Sequence, residues 1–360
     1  MRYKKNRNKR MKIFLAPISL IYYVVLWIRH KLYDWGILRS RRVSVPTICI
    51  GNLALGGTGK TPHTEYLVRL LKDKVNVAVL SRGFGRKTTG YCIAGEGSDA
   101  KELGDEPLMY WTKFKDSITV AVDEDRVDGI NRLMKEEKKP NIVLLDDAFQ
   151  HRKITAGINI LLTEYHNIYK NDYLVPVGTL RDIVPASKRA DIIIVTKCPQ
   201  ILDPYSKREK TELINPKPYQ HVFFTTIAYK KFYPTNDAAR AIDLENNKSI
   251  CLFCGIANPY PLEEYLKRSC NNLVTKYFKD HHIFKEEDID NILRCYDSMI
   301  GKSKILLTTE KDYMRLVNSE HIHKFDDVPL FIIPIEVRFN DKQEEESFKK
   351  ILLNYVGKNS

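Results

Sequence analysis

The chain has 360 residues, carries a formal net charge of +13, and is 43% hydrophobic and 29% charged. A chain of this length is expected to form two domains, and its composition excludes an intrinsically disordered protein. The positive charge predicts acidic partners, among them phosphorylated substrates, anionic lipid and nucleic acid. The seven cysteines are scattered, which argues against a disulfide framework and favours a reducing compartment.

The N-terminal stretch combines a basic leader with an apolar helix. Residues 1–12 contain seven basic side chains and no acidic one, and residues 13–28 contain no charge. A helix over the apolar run would span about 24 Å, less than the roughly 30 Å of hydrocarbon in a bilayer. We therefore predict a helix that dips into one leaflet of an anionic membrane, the alternative being an apolar helix packed on the protein's own core. The aromatic side chains expected near the lipid headgroups are Tyr22, Tyr23 and Trp27.

Residues 45–71 have the pattern of a buried strand, a glycine-rich turn and a helix, VPTICIGNLALGGTGKTPHTEYLVRLL. Glycines in such a turn let successive N–H groups converge on an anion, the lysine adds a positive charge, and the threonine after it could ligate Mg²⁺. Because the usual pattern has glycine where this chain has Ala54, we interpret the stretch as a variant phosphate-binding loop; a glycine-rich turn without a ligand is the alternative. The predicted nucleotide-binding residues are Leu55, Gly56, Gly57, Thr58, Gly59, Lys60 and Thr61.

Two further segments could contact a phosphate or the acceptor. The strand predicted at residues 75–80 ends in SRGFGRK, residues 81–87, a flexible cationic loop at the edge where open α/β sheets place ligands. A solvated basic turn is the alternative. Asp105 lies at the start of the apolar helix predicted within residues 104–114, where it serves either as a helix cap or as a functional carboxylate.

Carboxylates end another predicted strand. NIVLLDDAFQ, residues 141–150, is a buried apolar run followed by Asp146 and Asp147. Phosphate-loop enzymes hold Mg²⁺ with a carboxylate in this place, whereas aspartates that cap the next turn are the alternative. Arg181 and Asp182, in the segment LVPVGTLRD, could reach a nucleotide or its metal ion.

A polar, proline-bearing stretch separates the first α/β unit from a second one. Pro199, in TKCP, stands where a guanine-reading loop would carry aspartate, so the purine is expected not to be guanine. Residues 199–220 are the candidate linker. The second unit contains DHH in the loop of residues 279–284 and TTEKD at the end of a strand, residues 308–312. Paired histidines are more often surface residues than catalysts, and their loop position leaves both roles open.

The motifs follow one order along residues 15–312: GNLALGGTGKTP, SRGFGRK, GDEP, DDAFQH, GTLRD, DHH and TTEKD. In this order they resemble the tetraacyldisaccharide 4'-kinase family, which has glycine where this chain has Ala148. The resemblance implies transfer of the γ-phosphoryl group of ATP, with Mg²⁺, to the 4'-hydroxyl of an acylated glucosamine disaccharide 1-phosphate in lipid A biosynthesis. It also implies a peripheral or monotopic protein on the anionic cytoplasmic face of the inner membrane.

The resemblance further implies roles for individual residues. Asp105 and His281 would form a catalytic pair, in which the carboxylate accepts the proton of the sugar hydroxyl and the histidine orients it. His281 is chosen over His282 because Asp280 and His281 match the family's Asp-His. Since the pair comes from two domains, it is expected to meet when they close. The remaining predicted roles are phosphoryl stabilisation by Lys60, acceptor binding by Arg82, Arg86, Gln150 and His151, ATP binding by Arg181, and metal binding by Thr61, Asp146, Asp147 and Asp182.

The expected fold is α/β: a P-loop NTPase-like parallel sheet with helices on both faces, a second, smaller α/β domain and an N-terminal membrane-associated helix. The expected boundaries are 1–35 for the leader and helix, 36–200 for the kinase domain, 201–220 for the linker and 221–360 for the second domain. Two other classes fit less well. A membrane-associated ATPase switch would carry lysine in place of Leu55, and a nucleic-acid-binding protein would interleave basic and aromatic residues.

Overall fold

The computed structural model describes residues 9–242, 249–280, 282–300, 303–317 and 319–359. Within these residues the chain forms a nine-stranded sheet, a five-stranded sheet and helices packed against them. The strands, in chain order, are β1 (Thr47–Asn52), β2 (Val77–Ser81), β3 (Cys92–Ile93), β4 (Thr119–Val122), β5 (Ile142–Asp146), β6 (Ile158–Glu164), β7 (Ile192–Thr196), β8 (His221–Tyr229), β9 (Tyr233–Pro234), β10 (Ser249–Cys254), β11 (Asn272–Tyr277), β12 (Lys304–Thr309), β13 (Leu330–Ile333) and β14 (Ile335–Phe339).

Some helices are long and cover the sheets, whereas others are single helical turns at the ends of loops. In chain order they are α1 (Lys9–Asp34), α2 (Lys60–Leu71), α3 (Ala100–Leu103), α4 (Asp105–Phe114), α5 (Arg126–Leu133), α6 (Pro204–Ile214), α7 (Asp237–Arg240), α8 (Tyr260–Lys267), α9 (Glu286–Asp297), α10 (Glu310–Val317) and α11 (Lys342–Asn359). Short 3₁₀ helices cover Lys115–Ser117, Tyr169–Asn171, Val184–Arg189 and Ile322–Phe325.

The larger sheet has the strand order β14-β8-β7-β6-β1-β5-β2-β4-β3. Its neighbours pair in parallel, except that β14 is antiparallel to β8 and β3 is antiparallel to β4. Successive residues of β1 point into two apolar cores, because Cys49 packs in one and Ile48 and Ile50 pack in the other. Both faces are therefore covered, as in doubly wound α/β proteins, and the predicted fold class is confirmed.

The smaller sheet has the order β11-β10-β12-β13-β9, with β9 antiparallel to β13 and the other neighbours parallel. It also has an apolar core on each face. Cys251 and Phe253 of β10 pack in one core, and Ile250 and Leu252 pack in the other. This sheet is the second, smaller α/β unit.

The chain crosses between the two units more than once. The stretch predicted as a linker, residues 201–220, contains α6, and β8 pairs with β7 in the larger sheet. β14 returns to pair with β8, and α11 buries Leu352 in the core of the larger unit. The predicted boundary at residue 220 therefore does not separate the sheets, because residues 221–229 and 335–359 belong to the larger unit.

Helix α1 exposes a long apolar surface. Residues 11–34 are long and apolar enough to cross a membrane by length and composition, and an 18-residue window within them has a mean hydropathy of 1.9. Signal sequences and core helices can share these properties, but only 6% of that 18-residue window is buried, which argues against a core helix. The exposed large apolar side chains of α1 are Met11, Ile13, Phe14, Ile18, Leu20, Ile21, Tyr23, Val24, Val25, Trp27 and Ile28.

The inward side of α1 packs on the larger unit. Tyr22, Leu26 and His30 are spaced four residues apart and share this side of the helix. Leu26 and His30 are buried, and Tyr22 packs against the same apolar core. The hydroxyl of Tyr22 donates to the carbonyl oxygen of Arg181 at 2.9 Å. The predicted placement of Tyr22 among lipid headgroups is therefore corrected, since this side chain faces the protein.

Candidate active site

The predicted phosphate-binding loop connects the end of β1 to the start of α2. Gly56 and Gly59 have φ angles of +102° and +92°, a left-handed conformation that favours glycine. Gly59 is the N-cap of α2 and has no capping side chain, so the first N–H groups of the helix can face an anion. Asn52 stabilises the loop from the strand end, because its Nδ2 donates to Oγ1 of Thr58 at 2.7 Å.

Two predicted site residues, Lys60 and Arg181, contact a third, Asp147, beside this loop. Nζ of Lys60 lies 3.7 Å from Oδ2 of Asp147. The guanidinium of Arg181 donates to both carboxylate oxygens of Asp147 and to Oδ1 of Asn52, the last at 2.7 Å. Burial alone would raise the pKa of Asp147, but Lys60 and Arg181 outweigh it and lower the pKa. An ionised carboxylate and two cations thus lie together beside the loop.

Asp146 lies behind Asp147 at the end of β5. Its carboxylate accepts hydrogen bonds from the hydroxyls of Tyr110 at 3.1 Å and Thr64 at 3.4 Å. Burial, followed by the charge of Asp147, raises the pKa of Asp146 to about 6. Asp147, whose side chain is 35% exposed, is the more accessible of the two carboxylates.

The residues of this site fit a Mg²⁺ ion that is shared with a nucleotide. Mg²⁺ is usually held by one or two carboxylates together with substrate phosphates, and P-loop proteins add a loop hydroxyl. Thr61 and Asp147 are residues of these types on the loop helix and the neighbouring strand end. In the part of the chain that the structure describes, no group of three or more His, Cys, Asp or Glu residues could hold a metal ion alone.

Asp182, the fourth predicted metal ligand, is engaged elsewhere. It is fully buried. Its Oδ1 lies 2.6 Å from Nε2 of His30 and accepts the N–H of Ile183 at 2.8 Å, while Oδ2 accepts from Arg189 at 3.3 Å. These protein partners and the lack of exposed surface do not suit a metal ligand. The structure therefore gives Asp182 a structural role in place of the predicted metal ligation.

The two arginines of the cationic loop differ in accessibility. The side chain of Arg86 is only 2% exposed, and its NH2 donates to Glu124 at 2.5 Å and to the carbonyl oxygen of Gly90 at 2.7 Å. Arg86 thus helps to shape the loop, while its buried Nε and NH1 have no hydrogen-bond partner among the described residues. Its role in acceptor binding stays a prediction. Arg82 is exposed and remains the candidate cation of this loop.

Gln150 and His151 follow the aspartates in the chain. Nε2 of Gln150 donates to the carbonyl oxygen of Asn52 at 2.8 Å, which ties this turn to the phosphate-binding loop. Burial, followed by the charge of Arg126, lowers the pKa of His151 to about 4, so this imidazole is neutral at pH 7. Its buried Nε2 has no hydrogen-bond partner among the described residues.

Asp105 lies where the two units meet. The N-cap of α4 is Gly104, with φ of +89°, so Asp105 is the first residue of the helix and not its cap. Oδ2 of Asp105 accepts from Nε of Arg315 at 3.0 Å. NH1 of Arg315 in turn donates to Oδ1 of Asp312 at 3.0 Å. The predicted catalytic carboxylate of the larger unit is therefore joined to α10 of the smaller unit.

His281, the predicted partner of Asp105, lies outside the described residues. Its neighbour His282 places Nε2 at 2.8 Å from Oδ2 of Asp288, and its ring stacks on Phe278. These contacts tie His282 to the first turn of α9. The role of His281 stays a prediction.

Sequence reasoning missed Asn52 and Arg315. Asn52 is the polar residue that ends the apolar strand β1, and that position was a usable signal because polar side chains at carboxyl ends of parallel strands face the ligand site. Arg315 lies one helical turn after TTEKD. Nothing in the local pattern shows that it reaches a residue 210 positions away.

A glycine-rich loop between β1 and α2, at the carboxyl ends of a mostly parallel sheet and beside the acidic end of β5, defines a P-loop nucleotide-binding protein. The family model for tetraacyldisaccharide-1-P 4'-kinase matches residues 11–356. The chain belongs to this family, which confirms the resemblance of its motifs.

Relatives along nearly the whole chain carry the name tetraacyldisaccharide 4'-kinase. One from Bacteroides thetaiotaomicron is 42% identical over 362 residues, covering 96% of this chain and 94% of that protein. One from Flavobacterium psychrophilum is 42% identical over 345 residues, covering 95% and 96%. Among solved structures, the chain is similar to an "apo" form of LpxK from Aquifex aeolicus in complex with ATP, with a TM-score of 0.72 and 27% identity over 96% of this chain and 99% of that chain.

Proposed function

We propose that this protein is an ATP-dependent kinase that phosphorylates the 4'-hydroxyl of a tetraacyldisaccharide 1-phosphate, a step in lipid A biosynthesis. The observation that carries the proposal is the convergence of Lys60, Asp147 and Arg181 at the phosphate-binding loop of a member of the tetraacyldisaccharide-1-P 4'-kinase family. Phosphoryl transfer is catalysed mainly by positioning and by stabilising charge. A loop of N–H groups flanked by two cations supplies both.

The nucleotide is bound by the loop and its neighbours. The N–H groups of Gly56, Gly57, Gly59, Lys60 and Thr61 contact the phosphates of ATP, as do the side chains of Lys60 and Arg181. The N–H groups of Leu55 and Thr58 instead donate within the protein, to the carbonyl oxygens of Thr179 at 2.7 Å and Gly56 at 3.0 Å. Thr61 and Asp147 would hold Mg²⁺, which would supply positive charge for the transferring phosphoryl group. Asp146 acts behind Asp147 as a buried supporting carboxylate.

The acceptor is activated from the other side of the site. A sugar hydroxyl is a weak acid, so its attack on the phosphoryl group is faster when a base accepts its proton. Asp105 is that base, with His281 as its orienting partner. Arg82, an exposed cation at the end of β2, attracts the phosphate of the acceptor.

Helix α1 places the enzyme on the cytoplasmic face of the inner membrane. Its exposed apolar side chains enter the lipid, and the basic residues before and after the apolar run attract anionic headgroups. The acceptor carries acyl chains that hold it in the membrane, so an enzyme bound to the membrane can reach it there.

Replacement of Asp147 with asparagine should raise the Mg²⁺ concentration needed for half-maximal activity by about tenfold, because a charged ligand becomes neutral. Asp146→Asn should have a smaller effect, since Asp146 is the more buried carboxylate. Steady-state rates over a Mg²⁺ titration give both values. Asp73→Asn, at an exposed surface ion pair, is the control and should leave the titration unchanged. An unchanged Mg²⁺ requirement for both site variants would place the metal elsewhere.

Replacement of Phe14 or Ile21 with serine should weaken binding to anionic vesicles. These side chains are 85% and 66% exposed on α1, and burying one of them in lipid contributes about 1.5–3 kcal/mol. Vesicle co-sedimentation at low and high salt measures the effect, and salt should weaken the electrostatic part. Tyr205→Ser removes a side chain that is 79% exposed on α6 and should bind as the unaltered protein does. Equal binding by all variants would show that α1 is not the anchor.

ATP consumption with and without acceptor distinguishes a kinase from a membrane-associated ATPase switch. A kinase should consume ATP rapidly only when a glucosamine disaccharide lipid is present. Rapid consumption that depends on vesicles alone would favour the ATPase switch and would overturn the proposed function.

A further inference from the structure

The inward side of α1 contacts the two segments that carry Asp147 and Arg181. The hydroxyl of Tyr22 donates to the carbonyl oxygen of Arg181 at 2.9 Å. The guanidinium of Arg29 donates to the carbonyl oxygen of Gln150 at 3.0 Å. The helix with the exposed apolar surface therefore also lies against the back of the nucleotide site.

His30 provides the most buried of these contacts. Its Nδ1 lies 3.1 Å from NH1 of Arg152, and a guanidinium can only donate, so Nδ1 is the acceptor in this pair. The opposite nitrogen, Nε2, consequently carries the hydrogen and donates to Oδ1 of Asp182 at 2.6 Å. The imidazole of His30 thus joins α1 to a fully buried carboxylate.

Asp182 is adjacent to Arg181 in the chain. The N–H of Arg181 donates to the carbonyl oxygen of Leu53 at 2.7 Å, and its side chain contacts Asp147 and Asn52. Without His30, Asp182 keeps Arg189 and the N–H of Ile183 but loses one hydrogen-bond donor. An unmade hydrogen bond to a buried charged group is costly, so the segment around Asp182 shifts to satisfy it. A shift of about 1 Å at a positioning group can cost on the order of 100-fold in rate.

We propose that His30 is a positioning residue for the nucleotide site. By fixing Asp182, His30 holds Arg181 against Asp147 and Asn52. In this arrangement α1 has two roles, because its outward side contacts lipid while its inward side supports the phosphate-binding loop. The inference rests on the proposed function, in which Arg181 contacts the phosphates of ATP.

The test compares His30→Ala, His30→Gln and Ser19→Ala in the full-length protein. Ser19 is a matched control because it lies on α1, as His30 does, and does not contact Asp182. Its hydroxyl donates to the carbonyl oxygen of Leu174 at 3.1 Å, in the same segment as Asp182. Three measurements are made on each: affinity for a fluorescent ATP analogue without acceptor, KM and kcat for ATP, and binding to anionic vesicles. Thermal melting establishes that each variant is folded.

His30→Ala should weaken analogue binding and raise the KM for ATP by about tenfold, the usual scale for losing a group that orients a ligand-contacting residue. His30→Gln should recover most of the affinity, because its amide can donate to Asp182. Ser19→Ala should bind the analogue as the unaltered protein does, and all three should bind vesicles normally. Equal analogue affinity in His30→Ala and the unaltered protein would overturn the inference, as would equal losses in His30→Ala and His30→Gln.

Failure of the inference can be distinguished from failure of the proposed function. The analogue reports on the nucleotide site without an acceptor. If the unaltered protein binds ATP but phosphorylates no disaccharide lipid, the proposed function fails, while the comparison of His30 variants still decides the positioning role.

Discussion

Replacement of Lys60 with alanine is expected to lower kcat for phosphate transfer by about 10²–10³-fold, the usual cost of removing one group that stabilises developing charge. Lys60 is the first residue of α2, and its Nζ lies 3.7 Å from Asp147 beside the phosphate-binding loop. Thr61→Ala should also be severely impaired, because it removes the proposed loop ligand of Mg²⁺. Initial rates at saturating ATP and acceptor give both values.

Lys72→Ala is the matched control for this prediction. Lys72 lies at the opposite end of the same helix, where it pairs with Asp73 at the surface. Its replacement should leave turnover nearly unchanged. Near-normal activity in Lys60→Ala would exclude this loop as the phosphate site.

Replacement of Asp105 with alanine is expected to lower kcat by about 10²–10⁴-fold, the range for losing a positioned general base. Affinity for ATP should change little, because the phosphate-binding loop remains intact. His281→Ala should be less severe, and the double variant should be little worse than Asp105→Ala, because residues that act as a unit are not additive. Rapid-quench measurement of the transfer step separates this loss from binding.

Two controls address the structural part of this effect. His282→Ala removes a side chain tied to Asp288 and should retain more activity than His281→Ala. Asp105 also pairs with Arg315 across the two units, so its removal should lower the free energy of unfolding, which chemical denaturation measures. Activity that survives in proportion to the folded fraction would reduce Asp105 to a structural role. Fully multiplicative losses for Asp105 and His281 would show that they act separately.

The parts of the fold that could be predicted from sequence are those specified by local pattern. Apolar strands followed by glycine or aspartate located β1, β5 and the phosphate-binding loop, because strand end, turn and helix start follow one another within about 20 residues. Lys60 and Asp147, separated by many residues, could be placed together because the carboxyl ends of parallel strands share one edge of a sheet. The contact between these two residues follows from that rule.

The parts that could not be predicted depend on distant pairing. The return of β14 and α11 to the larger unit has no local signature, so the predicted boundary at residue 220 was drawn by composition alone. Asp182 was predicted to reach the metal ion from its place in the segment LVPVGTLRD, yet its partner His30 lies 152 positions earlier. The spacing of Tyr22, Leu26 and His30 was a usable signal for an inward helix face, but the apolar residues around them obscured it.

The central claim is that the site transfers the γ-phosphoryl group of ATP to the 4'-hydroxyl of an acylated disaccharide 1-phosphate. The most direct measurement is transfer of γ-labelled ATP to that lipid in mixed micelles, with the labelled position determined by mass spectrometry. We expect one labelled phosphate at the 4' position, formed only with Mg²⁺ present, and almost none with Lys60→Ala. Label released only as inorganic phosphate, or attached at another hydroxyl, would contradict the claim.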